Sequence, residues 1–92
     1  MDKKVEKQKF EEAVKAAKIN EIFQIGKEMP YKNFSFDCCD DGEFSWAAER
    51  NYDVLGSAGY VFPLRSSNMV KSFKTLDGAK RNMLRYFSWI FE

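Results

Sequence analysis

Phe10, Ala13, Val14 and Ala17 recur at three- and four-residue spacing, with Lys and Glu between them, which predicts a helix with one apolar stripe. The stripe fails in KINEIFQIGKEMP, where Ile19, Ile22, Phe23 and Ile25 sit at new angles. There the helix kinks, widens its buried arc or yields to a short strand, and Pro30 sets the outer limit because the residue before a proline avoids helical geometry. The reading adopted is a helix to about Gly26.

The period then changes to two. In NFSFDCCDDGEFSWAAE, Phe34, Phe36 and Cys38 alternate with Ser35 and Asp37, and Phe44, Trp46 and Ala48 alternate with Ser45, Ala47 and Glu49. Asp41-Gly42 between the two runs suits the positive φ angles of a tight turn, so this is a β-hairpin, with Cys38 as a small buried apolar residue. An irregular stretch with Gly56 and Gly59 follows, then YVFPLR, whose Pro63 argues for an edge strand or a bulge. MVKSFKT forms a further strand after the turn RSSN.

Thr75 is placed to cap a last helix, with Asp77 favourable in its first turn. On that helix Leu76, Ala79, Met83, Tyr86, Phe87 and Ile90 share one side, with Leu84 and Phe91 at its margin. Arg81, Arg85, Ser88 and Trp89 fall on the far side, Trp89 near the side of Asn82. The expected architecture is α+β: one domain, residues 1–92, in the order helix, β-hairpin, strands, helix. Two helices pack on one face of a mainly antiparallel sheet of three or four strands. Its core is expected to include Phe10, Val14, Phe34, Phe36, Phe44, Trp46, Val61, Phe73, Met83 and Phe87.

Composition supports a folded chain: 45% of residues are hydrophobic and 32% charged, with nine Phe and only two Pro. No apolar run approaches the roughly 18 residues of a membrane span, and the first residues are charged throughout, unlike a signal peptide, so a cytoplasmic protein is expected. The net charge of +1 hides an uneven distribution. Residues 29–64 hold two cations against six acids, whereas residues 65–92 hold six cations against two acids.

The chain has no His, which removes the usual general base near neutral pH, the Ser-His and Cys-His pairings and any Cys/His zinc site. The adjacent Cys38 and Cys39 are expected to be free thiols, because a bridge between neighbours is strained. The acids of DCCDDGE lack the alternating ligands and distant glutamate of a calcium loop, and GSAG lacks the lysine of a phosphate loop. No metal, no cofactor and no enzymatic activity are expected; an enzyme would have to rely on Cys39 or on paired acids such as Asp40 and Asp41.

The element order, together with KTLDGAKRN, resembles a double-stranded-RNA-binding domain. That resemblance implies phosphate contacts from the start of the last helix, but only Lys80 and Arg81 carry over. Thr75, Leu76, Asp77 and Gly78 stand where the family opens with lysines, and Asp77 repels phosphate. In size, aromatic richness, split charge and lack of catalytic groups, the chain also resembles the small inhibitors that bacteriophages encode against host nucleases, including anti-CRISPR and anti-restriction proteins. No shared motif carries this second resemblance, which implies a non-enzymatic module that binds a host nucleic-acid-processing enzyme.

The expected partner surface is Arg81, Asn82, Arg85 and Trp89, since Trp and Arg are frequent interface anchors. The competing surface is the acidic turn Asp40, Asp41 and Glu43, a lure for a basic nucleic-acid groove. Nucleic-acid binding is the alternative function, through Arg65, Lys71, Lys74, Lys80, Arg81 and Arg85.

Overall fold

The alternating stretches form the expected hairpin in the computed structural model, which describes residues 3–66 and 69–92. Strands β1 (Tyr31–Cys38) and β2 (Phe44–Arg50) pair antiparallel, with Phe36 opposite Trp46 and Phe34 opposite Ala48. Because side chains alternate across a sheet, these four share one face, and all four are buried. The turn is longer than a two-residue one. Cys39 N–H donates to the Glu43 carbonyl at 2.7 Å and Gly42 N–H to the Cys39 carbonyl at 3.0 Å, and positive φ is confined to Gly42, at 83°.

Two helices cover that face, as expected. Helix α1 (Lys3–Ala16) brings Phe10 to 5.2 Å from Phe34 between ring centroids. The last helix is followed at its C-cap by Phe87, whose ring lies 5.4 Å from Phe34, 5.2 Å from Trp46 and 6.2 Å from Phe10. Most of these contacts are edge-on or tilted, the arrangement the ring quadrupole favours, and they make Phe87 the hub of the core.

The helix expected to run to Gly26 stops at Ala16. Ala17 N–H closes back to the Val14 carbonyl at 3.3 Å, and Asn20 takes a left-handed φ of 67°, which Asn tolerates better than most residues. The chain then runs along the outer edge of β1: Asn20 N–H donates to the Phe36 carbonyl, and Phe23 and Phe34 exchange both backbone hydrogen bonds at 2.9 Å. The off-stripe Phe23 thereby stacks on Phe34 at 5.4 Å, and the exposed edge of the sheet is covered.

After β2, Asn51 caps a single helical turn, α2 (Tyr52–Leu55), where the sequence predicted irregular chain. Its amide also donates to the carbonyls of Lys27 and Met29, both at 2.9 Å, so the cap fastens the 27–29 segment to the end of β2. Strand β3 (Tyr60–Val61) joins the far side of β2, giving the order β1-β2-β3. The expected single sheet divides at Pro63, which has no N–H for a ladder. Strands β4 (Leu64–Ser66) and β5 (Met69–Val70) form a separate antiparallel pair. The turn predicted at RSSN falls partly outside the described residues.

Helix α3 (Leu76–Tyr86) starts where its cap predicts, with the Thr75 hydroxyl accepting from Gly78 N–H at 3.0 Å. It gives way at Phe87 to a 3-10 turn, Ser88–Phe91, that packs back on α1. The ring of Phe91 lies 5.6 Å from that of Phe10. Of the expected core, Phe44, Val61 and Phe73 are half-buried, and the other seven are buried. Cys38, expected inside, is exposed, standing at the last position of β1 beside the solvent-facing turn. Tyr86 is likewise 44% exposed although its ring touches Trp46 edge-on.

Candidate binding surfaces

On α3, Arg81 and Arg85 stand one turn apart and are exposed, as the helical projection requires. Asn82 does not join them at the surface. Its side-chain carbonyl accepts the indole N–H of the fully buried Trp46 at 2.8 Å, so it satisfies a core donor. Trp89 is off α3 altogether. It sits in the 3-10 turn, half-exposed, with its ring edge-on to Tyr31 at 6.3 Å. A 100° projection fails there because a 3-10 turn advances about 120° per residue. The expected cluster thus resolves into an arginine pair on α3, a structural asparagine and a tryptophan directed to the start of β1.

The acidic turn is partly internal in its use. Asp40 and Asp41 are exposed, but the Asp41 carboxylate accepts Glu43 N–H at 2.9 Å, bracing the turn. Glu43 accepts the Ser72 hydroxyl at 2.7 Å, tying the hairpin to the chain after β5. Cys39, half-buried in the same turn, has its thiol pushed up from the ordinary value by burial and by Asp41, Cys38, Asp37 and Asp40. A raised thiol pKa means less thiolate, the opposite of what a nucleophile needs. Both cysteines are free, and among the described residues no three Cys, Asp or Glu side chains stand close enough to hold a metal ion.

Most of the exposed large apolar side chains lie elsewhere, on an arm from Tyr52 to Val70. Among the described residues, Tyr52, Val54, Leu55, Tyr60, Phe62, Leu64, Met69 and Val70 are each at least 39% exposed. They are eight of the twelve exposed large apolar side chains among the described residues, and the arm's only charged residues are Asp53 and Arg65. Its shape is set from within. Val61 lies opposite the buried Ala48, which sends Tyr60 and Phe62 to the other face, where their rings lie 6.5 Å apart. Leu64 pairs across β4 and β5 with Val70.

The arm is well fastened at its base. Lys71 N–H donates to the Pro63 carbonyl at 2.8 Å, the buried Ser45 hydroxyl donates to the Lys71 carbonyl at 2.9 Å, and Phe73 and Phe44 exchange backbone hydrogen bonds. Arg50 holds the preceding loop, its backbone N–H on the Gly59 carbonyl at 2.8 Å and its guanidinium 3.3 Å from the Tyr60 carbonyl. The strand composition of YVFPLR carried a signal for this surface. What it did not reveal is that no second layer faces Tyr60, Phe62 and Leu64.

Several cations of the basic third are engaged internally. The Lys80 ammonium donates to the Lys15 carbonyl at the end of α1, at 2.8 Å, and Lys71 lies 5.2 Å over the Phe73 ring. Among the described residues, no helix is long and apolar enough to cross a membrane. No protein-family model, curated protein or solved structure matches the chain.

Proposed function

We propose that this chain is a non-enzymatic protein-binding module acting in the cytoplasm, and that it docks through the apolar arm of residues 52–70. One observation carries the reading: most of the exposed large apolar side chains are gathered on a nearly uncharged nineteen-residue arm with a well-bonded base. Contiguous exposed apolar surface has a free-energy cost in water of roughly 25 cal/mol per Å² that a partner would remove. The contact would run through side chains, because the Gly59 and Tyr60 carbonyls are already engaged by Arg50. Arg81 and Arg85 supply a positive field that speeds encounter with an acidic partner.

The narrower reading is an inhibitor of a host nucleic-acid-processing enzyme, such as a CRISPR effector or a restriction nuclease. It rests on size, charge split and the lack of catalytic groups. Nucleic-acid binding is the second reading, favoured by the exposed Lys74, Arg81 and Arg85 and weakened by the internal engagement of Lys80. An immobilised chain in bacterial lysate separates these readings. The expected result is a protein partner retained by wild type and by R81A/R85A/W89A, and lost in Y60S/F62S/L64S at unchanged melting temperature. Retention by the arm variant would move the interface away from the arm. Nucleic-acid mobility shifts that weaken steeply with salt would establish the second reading instead.

A further inference from the structure

A cleft of about 210 Å³ lies where α1, the Glu28–Pro30 segment and the 3-10 turn meet, and it shares no residue with the arm or with the arginine pair. Its apolar lining comes from Met29, Pro30, Ile90 and Phe91. Two carboxylates, Glu6 and Glu28, complete it together with Lys3, whose ammonium donates to the Glu92 backbone carbonyl at 2.6 Å.

Glu6 is the anomaly. It occupies a buried position on a helix otherwise studded with exposed charge, and it is only 9% exposed. Its Oε1 lies 3.8 Å from the ammonium of Lys9, a side chain that is itself 61% exposed. Its Oε2 is shut off from solvent without any hydrogen-bond partner, packed so near Gly26 that a Cβ there would stand 3.5 Å away. A long pair with an exposed lysine contributes little, whereas a buried carboxylate oxygen without a donor is costly. Glu6 itself lines the cleft, so a turn of its carboxylate away from Gly26 would bring the unpartnered oxygen to a donor held there.

We propose that this cleft binds an alkylammonium or guanidinium group carried on an apolar stem, the cation meeting Glu6 and Glu28 and the stem lying on Met29, Pro30, Ile90 and Phe91. Charge selects the ligand's sign, since two carboxylates face one ammonium that is already held at Glu92. The apolar lining selects a stem over a bare ion. A lysine or arginine side chain and a free alkylamine share this chemistry.

The test is a titration of the full chain with hexylammonium chloride, followed by amide and carboxyl NMR shifts. Saturable shifts are expected at Glu6, Ile90 and Phe91, with 1-hexanol binding about tenfold more weakly, the factor expected of one charge-assisted contact. E6Q should weaken hexylammonium about tenfold and E28Q less, while E12Q, at an exposed position of the same helix, should leave it unchanged. Nα-acetyl-lysine and Nα-acetyl-arginine methylamides, titrated in parallel, distinguish a side chain from a free amine. Shifts that do not saturate, equal binding of hexanol, or full binding by E6Q would overturn the proposal. If E6Q fails to fold, undiminished binding by E28Q would overturn it instead.

Discussion

Between Phe34 and Ala48 the large apolar side chains face helices; between Tyr52 and Val70 all but Val61 face water. The two regions use the same residue types, large aromatic and aliphatic side chains, but the hairpin alternates with period two whereas YVFPL is an unbroken apolar run. In the first, Phe34, Phe36 and Trp46 meet rings or aliphatic chains from α1, α3 and the edge segment, and their exposure is 1% or less. In the second, Tyr60 and Phe62 find one another, at 6.5 Å, and Leu64 lies opposite Val70, yet all four remain more than 40% exposed. Burial is therefore a property of the layer opposite a strand and not of the strand.

The sharpest way to break the comparison is to remove one ring from each region. Phe36→Ala should destabilise the chain by about 3 to 5 kcal/mol, since it deletes a fully buried ring in contact with Phe23. Phe62→Ala should change stability by about 0.5 kcal/mol or less while weakening partner capture. Urea unfolding of both variants checks this. A loss of several kcal/mol for Phe62→Ala would show that the arm belongs to the core.

How much of this contrast is legible in the chain differs by element. The hairpin and the Thr75 cap are local devices, written within a few residues, and the structure keeps both. The end of α1 is not local. Ile19 and Phe23 fit a widened helix or a strand equally well, and the unpaired edge of β1, more than ten residues further on, decides between them. Asn82 shows the same limit. It lies on the polar side of α3, yet the indole of Trp46 claims it across the core. Trp89 is misplaced by any helical projection, because the helix has ended three residues before it, at Tyr86. The arm's apolar composition is visible in YVFPL, but whether anything stands opposite it is a property of the assembled fold.

A medium effect is expected where the two regions join. Asn51, 5% exposed, donates to the Lys27 and Met29 carbonyls and accepts Asp53 N–H at 3.2 Å, so one amide links the core's edge segment to the first turn of the arm. Asn51→Ala leaves two carbonyls and the helix cap unsatisfied and should cost about 2 kcal/mol. Hydrogen exchange should then rise first in residues 52–60, before the β1–β2 hairpin loosens. Uniform loosening of both would mean that core and arm unfold as one unit.

The smallest expected effect sharpens the comparison by its pH dependence. Tyr31 is 9% exposed, packed at 4.8 Å against Phe87, whereas Tyr60 is 59% exposed. Burial, with a smaller contribution from Tyr86, holds the Tyr31 phenol above its ordinary value, and Arg50 opposes that shift. A folded-state pKa above the unfolded one means that the native chain retains a proton the unfolded chain has released. The associated stability is fully present below about pH 10 and is lost as pH rises through the raised folded value. The melting temperature should therefore fall more steeply above pH 10 in wild type than in Tyr31→Phe, which keeps the ring and removes the titrating group. Identical slopes for wild type and Tyr31→Phe would show that the start of β1 is as open to water as the arm.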